Sequence, residues 1–552
     1  MSLFICRHVW YNYMINQAGV LPFLRRVWGI LFIFLTLFAA VWGCSPDIRR
    51  FAVKLYFFGH DYKYAAEQIL LTMFPAERPE YPAGKPQGDR MEIRLSRGES
   101  FVTATCALHS GTQCWHGRAA AKASLMTDDL MTDRYCQRLI KNAVYRAALA
   151  SGIGRPAWGA LTGVRPGKLL CGLLRVAPDE AAAEREFIEK YDVTPERARL
   201  CLDTCRETLR AQASLGARDI CLYVGIPFCP TRCAYCSFVS QSVEKSMKLI
   251  PPFLDALYKE LGATAAVVRE LGLRVVSVYM GGGTPTTLSA AQLDELCARL
   301  AARFDLSALR EYTVEAGRPD TITDEKLRVL RRHGVDRISV NPQTMSDAVL
   351  EVIGRRHTAQ DIITALEAVR AVGGFDVNMD LIAGLPSDTV DSFRATLEKV
   401  LSLAPENVTV HTLSLKKGSR ITLEGAALPT AAEVGAMLDY ARASLTAAGY
   451  APYYLYRQKF MSGGFENVGW ARGGRVNLYN ICIMEELCSI LAMGGGGSTK
   501  LVCPGGGRNI RLMAPKYPLE YINNIDRTCA DKDRIRRFYE ENIQGHAICK
   551  EE

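Results

Sequence analysis

Residues 219–238, DICLYVGIPFCPTRCAYCSF, decide how the rest of this chain is read. Asp219–Ile226 is a short apolar run of the length and texture of a buried strand. It feeds a loop in which Cys229, Cys233 and Cys236 follow the pattern C-x-x-x-C-x-x-C. Three converging thiolates are soft ligands suited to an iron–sulfur cluster, and on a four-iron cube they leave one iron open. Zinc is the competing ion. It wants four protein ligands, or three and a water, and no His or Cys follows close behind Cys236. Three buried cysteines without a ligand are the remaining reading.

Working outward, the runs 275–280, 312–316, 337–340, 377–382 and 408–415 repeat the short apolar pattern, with helical periodicity between them. Ser289 and Thr323 stand where helix N-caps belong, and Gly334 stands where the third intervening helix stops. Six β/α units predict an α/β fold, a parallel sheet curled into a partial or complete barrel with its chemistry on the loops after the strands. The polar residues at those strand ends are the candidates. Strand two ends in MGGGTP, whose glycines let the backbone approach a ligand's polar end or simply make a tight turn. Strand three ends in Glu315, an acceptor for a hydroxyl or ammonium group, or a solvated acid. Gln343 follows strand four, Arg355 offers a planar fork of donors, and Asp380 on strand five offers acceptors, unless the last two pair with each other. Tyr223 and Tyr235 flank the cysteines as site or core aromatics.

The 552 residues exceed one ordinary core, and four segments are expected. These are an apolar extension (1–52), an α+β and helical module (53–215), the β/α core (216–450) and an accessory domain (451–552). In the second, 55–58, 91–95 and 101–108 read as strands and 62–74 as a helix, with helices dominating 124–216. TGVRPGKLL at 162–170 reads as a helix-start turn or a docking loop. Past Tyr450 the regularity ends in Gly-rich sequence. The uncharged run 27–44, preceded by Arg25 and Arg26, has the pattern of a signal anchor or membrane span. The other readings are a start placed upstream of a folded part beginning at Val53, or a lipoprotein anchor at Cys44. Eighteen scattered cysteines argue against a disulfide framework and for a reducing, cytoplasmic location. A net charge of +9 without a long basic block suits anionic small molecules at least as well as nucleic acid, and no nucleic-acid partner is expected.

The Cys229, Cys233, Cys236 spacing after a barrel strand resembles the signature of radical S-adenosylmethionine (SAM) enzymes. YVGIPFC at 223–229 resembles the oxygen-independent coproporphyrinogen III oxidase family and, within it, the coproporphyrinogen dehydrogenase (HemZ) branch, as do MSGGFENVGWA and LYNICIMEEL in the tail. The resemblance covers most of the chain after Val53. It implies a radical SAM partial (β/α)6 barrel with an N-terminal α+β module and a C-terminal accessory domain. It also implies a [4Fe-4S] cluster on Cys229, Cys233 and Cys236, whose open iron chelates the amino and carboxylate groups of SAM. By motif, Gly282, Gly283 and Thr284 lie at the SAM amino group; Glu315, Gln343, Arg355 and Asp380 contact one or two SAM molecules; Tyr223 and Tyr235 lie near, and Thr412 corresponds loosely.

The implied reaction is decarboxylation of two propionates of coproporphyrinogen III to vinyl groups, giving protoporphyrinogen IX. An electron donor such as flavodoxin or ferredoxin is expected, a monomer is favoured over other oligomeric states, and membrane contact is expected only if residues 1–52 belong to the protein. Arg355, Arg356, Lys416 and Lys417 are candidates for a basic rim around the polyanionic substrate. Gly225 stands where many relatives have His, and Phe238 where one oxidase subgroup has a fourth Cys; neither removes a cluster ligand. The tail lacks the His-Asn-x-x-Tyr-Trp stretch of the heme-chaperone branch, with Tyr479 and Asn480 nearest to its place. A SAM- and cluster-containing heme chaperone, or radical chemistry on another tetrapyrrole, are the alternatives.

Overall fold

Alternation along Asp219–Ile226 sets the architecture. Ile220, Leu222 and Val224 pack with Phe253, Leu257 and Leu261 in the main core, while Cys221 and Tyr223 face the other way into a smaller core. In this computed structural model the described residues are 53–547, apart from 76, 237–240, 243–245, 415–426, 459–461 and 504–508. The expectations for residues 1–52, including the 27–44 run and Cys44, and those for Phe238, Lys416 and Lys417 therefore lie outside the described residues. Among the described residues, no helix is long and apolar enough to cross a membrane.

The six expected strands form, as β1 (Asp219–Ile226), β2 (Arg274–Gly282), β3 (Glu311–Glu315), β4 (Arg337–Ser339), β5 (Asp376–Ala383) and β6 (Asn407–Thr412). Each pairs in parallel with the next. The helices α1 (Ile250–Glu270), α2 (Ala290–Arg303), α3 (Asp324–Arg332), α4 (Ala359–Val372) and α5 (Val390–Ser402) fill the crossovers, and α6 (Ala431–Ala447) follows β6. Local signals start and stop them. Ser289 closes a capping box with Gln292, Thr323 accepts from the Lys326 amide, and Gly334 takes the positive φ of 79° after α3. All the strand ends that carry candidate residues therefore point the same way.

Past Tyr450 the parallel strand–helix alternation ends as expected, but strands continue. Ala451–Arg457 (β7) and Glu466–Ala471 (β8) extend the sheet beyond β6, with β8 antiparallel to it. A helix, α7 (Leu478–Glu485), leads to Ser489–Gly494 (β9), which runs parallel to β1 on the opposite edge, and Ser498–Leu501 (β10) and Ile510–Met513 (β11) complete that edge. The order is β7-β8-β6-β5-β4-β3-β2-β1-β9-β10-β11. Both β8 and β9 are buried at every residue, so each covers what would otherwise be an unpaired edge of the six-stranded core.

Upstream, Val53–Phe58, Arg90–Arg97, Phe101–Ser110 and Gln113–Lys122 form a separate sheet with the short strand Pro79–Glu80; the helices Lys63–Met73 and Asp129–Ala150 share its core. The strand at Gln113–Lys122 was not foreseen, because its alternation uses Ala and Gly rather than large apolar residues. TGVRPGKLL starts a helix, Pro166–Leu174, with Pro at its first position, and it also docks. Arg457 on β7 donates to the carbonyls of Leu161 and Val164, and Arg165 pairs with Glu486 at 2.6 Å.

Candidate cofactor-binding site

Parallel pairing brings the ends of β1 to β6 around one cavity of ≈ 540 Å³. Every candidate for holding the cluster or contacting SAM lines it. Cys229, Cys233 and Cys236 form one wall with Tyr223 and Tyr235; Gly282, Gly283, Thr284 and Glu315 follow; Gln343, Arg355, Asp380 and Thr412 close the circuit. Arg356 and His357 do not line it. A larger cavity, ≈ 1000 Å³, opens at the opposite ends of the strands, where Asp336, Arg337 and Asp376 are held in ion pairs and hydrogen bonds to the protein itself.

The cysteine loop is held from two sides. The amides of Gly283 and Thr284 donate to the carbonyls of Ile226 and Phe228 at 2.8 and 2.7 Å. A Cβ on Gly283 would stand 2.5 Å from the Phe228 carbonyl oxygen, so glycine is what lets strand two's end lie against the loop. The Thr284 hydroxyl donates to Cys229 Sγ at 3.5 Å, and Arg318 Nη1 donates to Cys233 Sγ at 3.7 Å. Since those amides are spent on the loop, the acceptors here are what suit an ammonium group.

Glu315 and Asp380 are the two acids of the cavity, and their environments push them apart. Burial raises the Glu315 carboxyl to about 7; the Tyr279 hydroxyl, which donates to it at 2.6 Å, opposes the shift and the Asp380 charge adds to it. Burial also acts on Asp380, yet His411, Asn378 and Thr409 outweigh it and hold the carboxylate below its ordinary range. The Asn378 amide donates to Asp380 Oδ1 at 2.8 Å. Asp380 is therefore an anion across neutral pH, whereas Glu315 changes charge there.

Arg355 does not pair with Asp380, so that alternative falls. Its Nη1 donates to the carbonyls of Asn341 and Gly317 at 2.6 and 3.3 Å, and its Nη2 to the Tyr235 hydroxyl at 3.1 Å. Tyr235 in turn donates to Gln343 Oε1 at 3.2 Å. Gln343 has φ 68°, a left-handed backbone uncommon for a residue with a side chain, and it is secured by its amide on the Asp380 carbonyl at 2.9 Å. Burial keeps Tyr235 a neutral phenol. The Thr412 hydroxyl donates to the Glu466 carbonyl at 2.7 Å, which leaves it only its acceptor capacity.

Several lining residues were not singled out in the sequence. Tyr279, Arg318, Asn341, Asn378 and His411 each sit within three residues of a candidate or at a strand end, and that position was the available signal. Tyr279 stacks on Tyr479 at 4.4 Å and on Tyr223 at 6.3 Å, making an aromatic wall that no local pattern predicts.

These features suit a cluster and its chelating ligand. Three thiols on one loop are soft ligands of the kind that hold an iron–sulfur cube. Two side-chain donors, the Thr284 hydroxyl and the Arg318 guanidinium, already point at these sulfurs, as hydrogen-bond donors to cluster thiolates do.

Comparison with known proteins gives these residues a context. Residues 223–400 match the Radical SAM superfamily. Over 476 residues the chain is 37% identical to the oxygen-independent coproporphyrinogen-III oxidase-like protein HemZ of Bacillus subtilis (strain 168), covering 84% of this chain and 94% of that protein. It is 36% identical over 192 residues to the heme chaperone HemW of the same organism, covering 35% of this chain and 49% of that one. The oxygen-independent coproporphyrinogen III oxidase of Salmonella typhimurium is 32% identical over 246 residues, covering 44% of this chain and 53% of that one. The chain spans about half the length of these last two relatives.

Proposed function

We propose, from the premise that this chain belongs to the radical SAM superfamily and to the family of its coproporphyrinogen-III oxidase-like relative HemZ, that it decarboxylates coproporphyrinogen III to protoporphyrinogen IX without oxygen. The observation that carries the reading is the single cavity in which the cysteine loop faces Glu315, Gln343, Arg355 and Asp380. Membership implies a [4Fe-4S] cluster and SAM. When bound, they would supply the one-electron chemistry that removes a hydrogen from a propionate chain; carbon dioxide then leaves and an electron acceptor takes the remaining electron, so the decarboxylation is oxidative.

The protein's part is binding, orientation and exclusion. Cys229, Cys233 and Cys236 hold the cluster, with Arg318 and Thr284 donating to sulfur. Glu315 and Asp380 accept from the ammonium and ribose groups of SAM. Arg355 and Gln343 fix Tyr235 against the cofactor, and the Tyr223, Tyr279 and Tyr479 rings keep water from the reacting side. The protein acts in the cytoplasm, where the loop thiols stay reduced.

The match to HemW supports a second reading, a heme chaperone with the same cofactor site, although it covers 35% of this chain against 84% for HemZ. Anaerobic incubation of the reconstituted protein with SAM, a low-potential reductant and coproporphyrinogen III separates the two. Protoporphyrinogen IX and carbon dioxide are expected. Unchanged substrate together with stable binding of added heme would establish the chaperone instead.

A further inference from the structure

Cys221 lies two residues before Tyr223 on the same face of β1 and points into the smaller core. There it meets Cys482 of α7 and Cys488, the residue before β9. All three sulfurs lie within 4.8 Å of one another, and Cys221 Sγ is 3.6 Å from Cys488 Sγ. The three residues are 0%, 0% and 6% exposed. Buried cysteines are common, but among the described residues only these three metal-ligating side chains gather so tightly.

Geometry limits what such a triangle can hold. A metal–sulfur bond of about 2.3 Å places the sulfurs of a trigonal site about 4.0 Å apart. The 3.6 Å pair and the 4.8 Å limit bracket that value. A four-iron cube spreads its thiolates over separate corners and does not fit. Structural zinc is almost always four-coordinate, and among the described residues no fourth Cys, His, Asp or Glu joins the group. Thiolates are also the ligands that select copper(I).

We propose that Cys221, Cys482 and Cys488 form a second metal site, a three-thiolate seat for copper(I). Each ligating thiol gives its proton to solvent and copper stays monovalent, so no electron is transferred. The seat joins β1, α7 and the entry to β9. Tyr223 stands two residues after Cys221, and Tyr479 three residues before Cys482. An ion there ties two members of the aromatic wall to one point beneath the cofactor cavity.

The test uses the full chain carrying Cys229→Ala, Cys233→Ala and Cys236→Ala, so that the cluster loop does not compete. Copper(I) is titrated anaerobically against bicinchoninate, and bound copper is examined by X-ray absorption. One tight equivalent with three sulfur neighbours is expected, along with a higher thermal midpoint. Adding Cys482→Ser or Cys488→Ala should abolish that equivalent and the thermal shift, whereas Cys297→Ala, at a buried cysteine elsewhere, should keep both. Far-UV circular dichroism identifies any variant that fails to fold, and the two independent substitutions keep the comparison available. No tight copper in the background chain, or the same tight copper after Cys482→Ser and Cys488→Ala, overturns the site. A titration in which zinc(II) occupies the three sulfurs and copper(I) does not overturns the assignment of the ion.

Discussion

Arg318 places a guanidinium N–H 3.7 Å from Cys233 Sγ while its other terminal nitrogen holds Thr231 Oγ1 at 2.9 Å. A cation donating to a cluster sulfur favours the reduced, more negative state. Arg318→Met should therefore lower the midpoint potential of the reconstituted cluster, on the order of 60–120 mV, the one-electron equivalent of a charge-assisted hydrogen bond. Redox titration followed by electron paramagnetic resonance measures it. An unchanged potential with the cluster intact would remove Arg318 from this role.

The glycines at the end of β2 separate two functions. A Cβ on Gly283 would stand 2.5 and 2.7 Å from the carbonyl oxygens of Phe228 and Ile226, both backbone atoms of the cysteine loop. The three atoms nearest a Cβ on Gly281 belong to the Glu315 carboxylate, at 2.8 to 3.0 Å, the far end of a side chain rather than backbone. Gly283→Ala should lose most of the iron on reconstitution. Gly281→Ala should keep the cluster but bind SAM about tenfold more weakly, the effect of one lost charge-assisted hydrogen bond. Iron content and SAM titration give the two readouts, and equal iron in both variants would contradict the assignment.

Glu315 makes the site sensitive to pH. Its carboxyl is raised from 4.5 to about 7, so between those values the folded chain keeps a proton that the unfolded chain has lost. The unfolded state binds fewer protons there, and stability of the cofactor-free protein should fall as pH rises through that window. SAM affinity should move the other way, rising about tenfold from pH 6 to pH 8 as the carboxylate forms. Urea midpoints and calorimetry follow the two trends. Glu315→Gln should flatten both, and a variant that retains them would show that another group is responsible.

A buried ion pair binds the upstream helices to the edge of the sheet. Glu466 of β8, 2% exposed, accepts from Trp158 Nε1 at 2.6 Å and pairs with Arg197 at 2.8 Å. Glu466→Ala leaves Trp158 Nε1 without its acceptor and Arg197 with Asp439 as its ion-pair partner, and should cost about 3 kcal/mol. Glu466→Gln keeps the shape and an acceptor, and should cost less. Denaturant unfolding of the two variants measures the difference; equal losses would mean that the charge, rather than the acceptor, holds the contact.

Much of this molecule follows from local pattern. Apolar runs of strand length, alternating with helices capped at Ser289 and Thr323, require a parallel sheet, and a parallel sheet puts every strand's C-terminal end on one rim. That is why Cys229, Glu315 and Asp380, far apart in the chain, could be read as neighbours before any contact was known. The edges were not legible. The strands β8 and β9 join opposite sides of the sheet through pairing with β6 and β1, and pairing partners so distant in the chain leave no periodicity to read. The same holds for Arg318 on Cys233, for the tyrosine wall and for the three sulfurs of Cys221, Cys482 and Cys488. Sequence spacing alone determined the loop that can hold a cluster, because its ligands are local; long-range packing decided which side chains press on that loop and what lies beneath it.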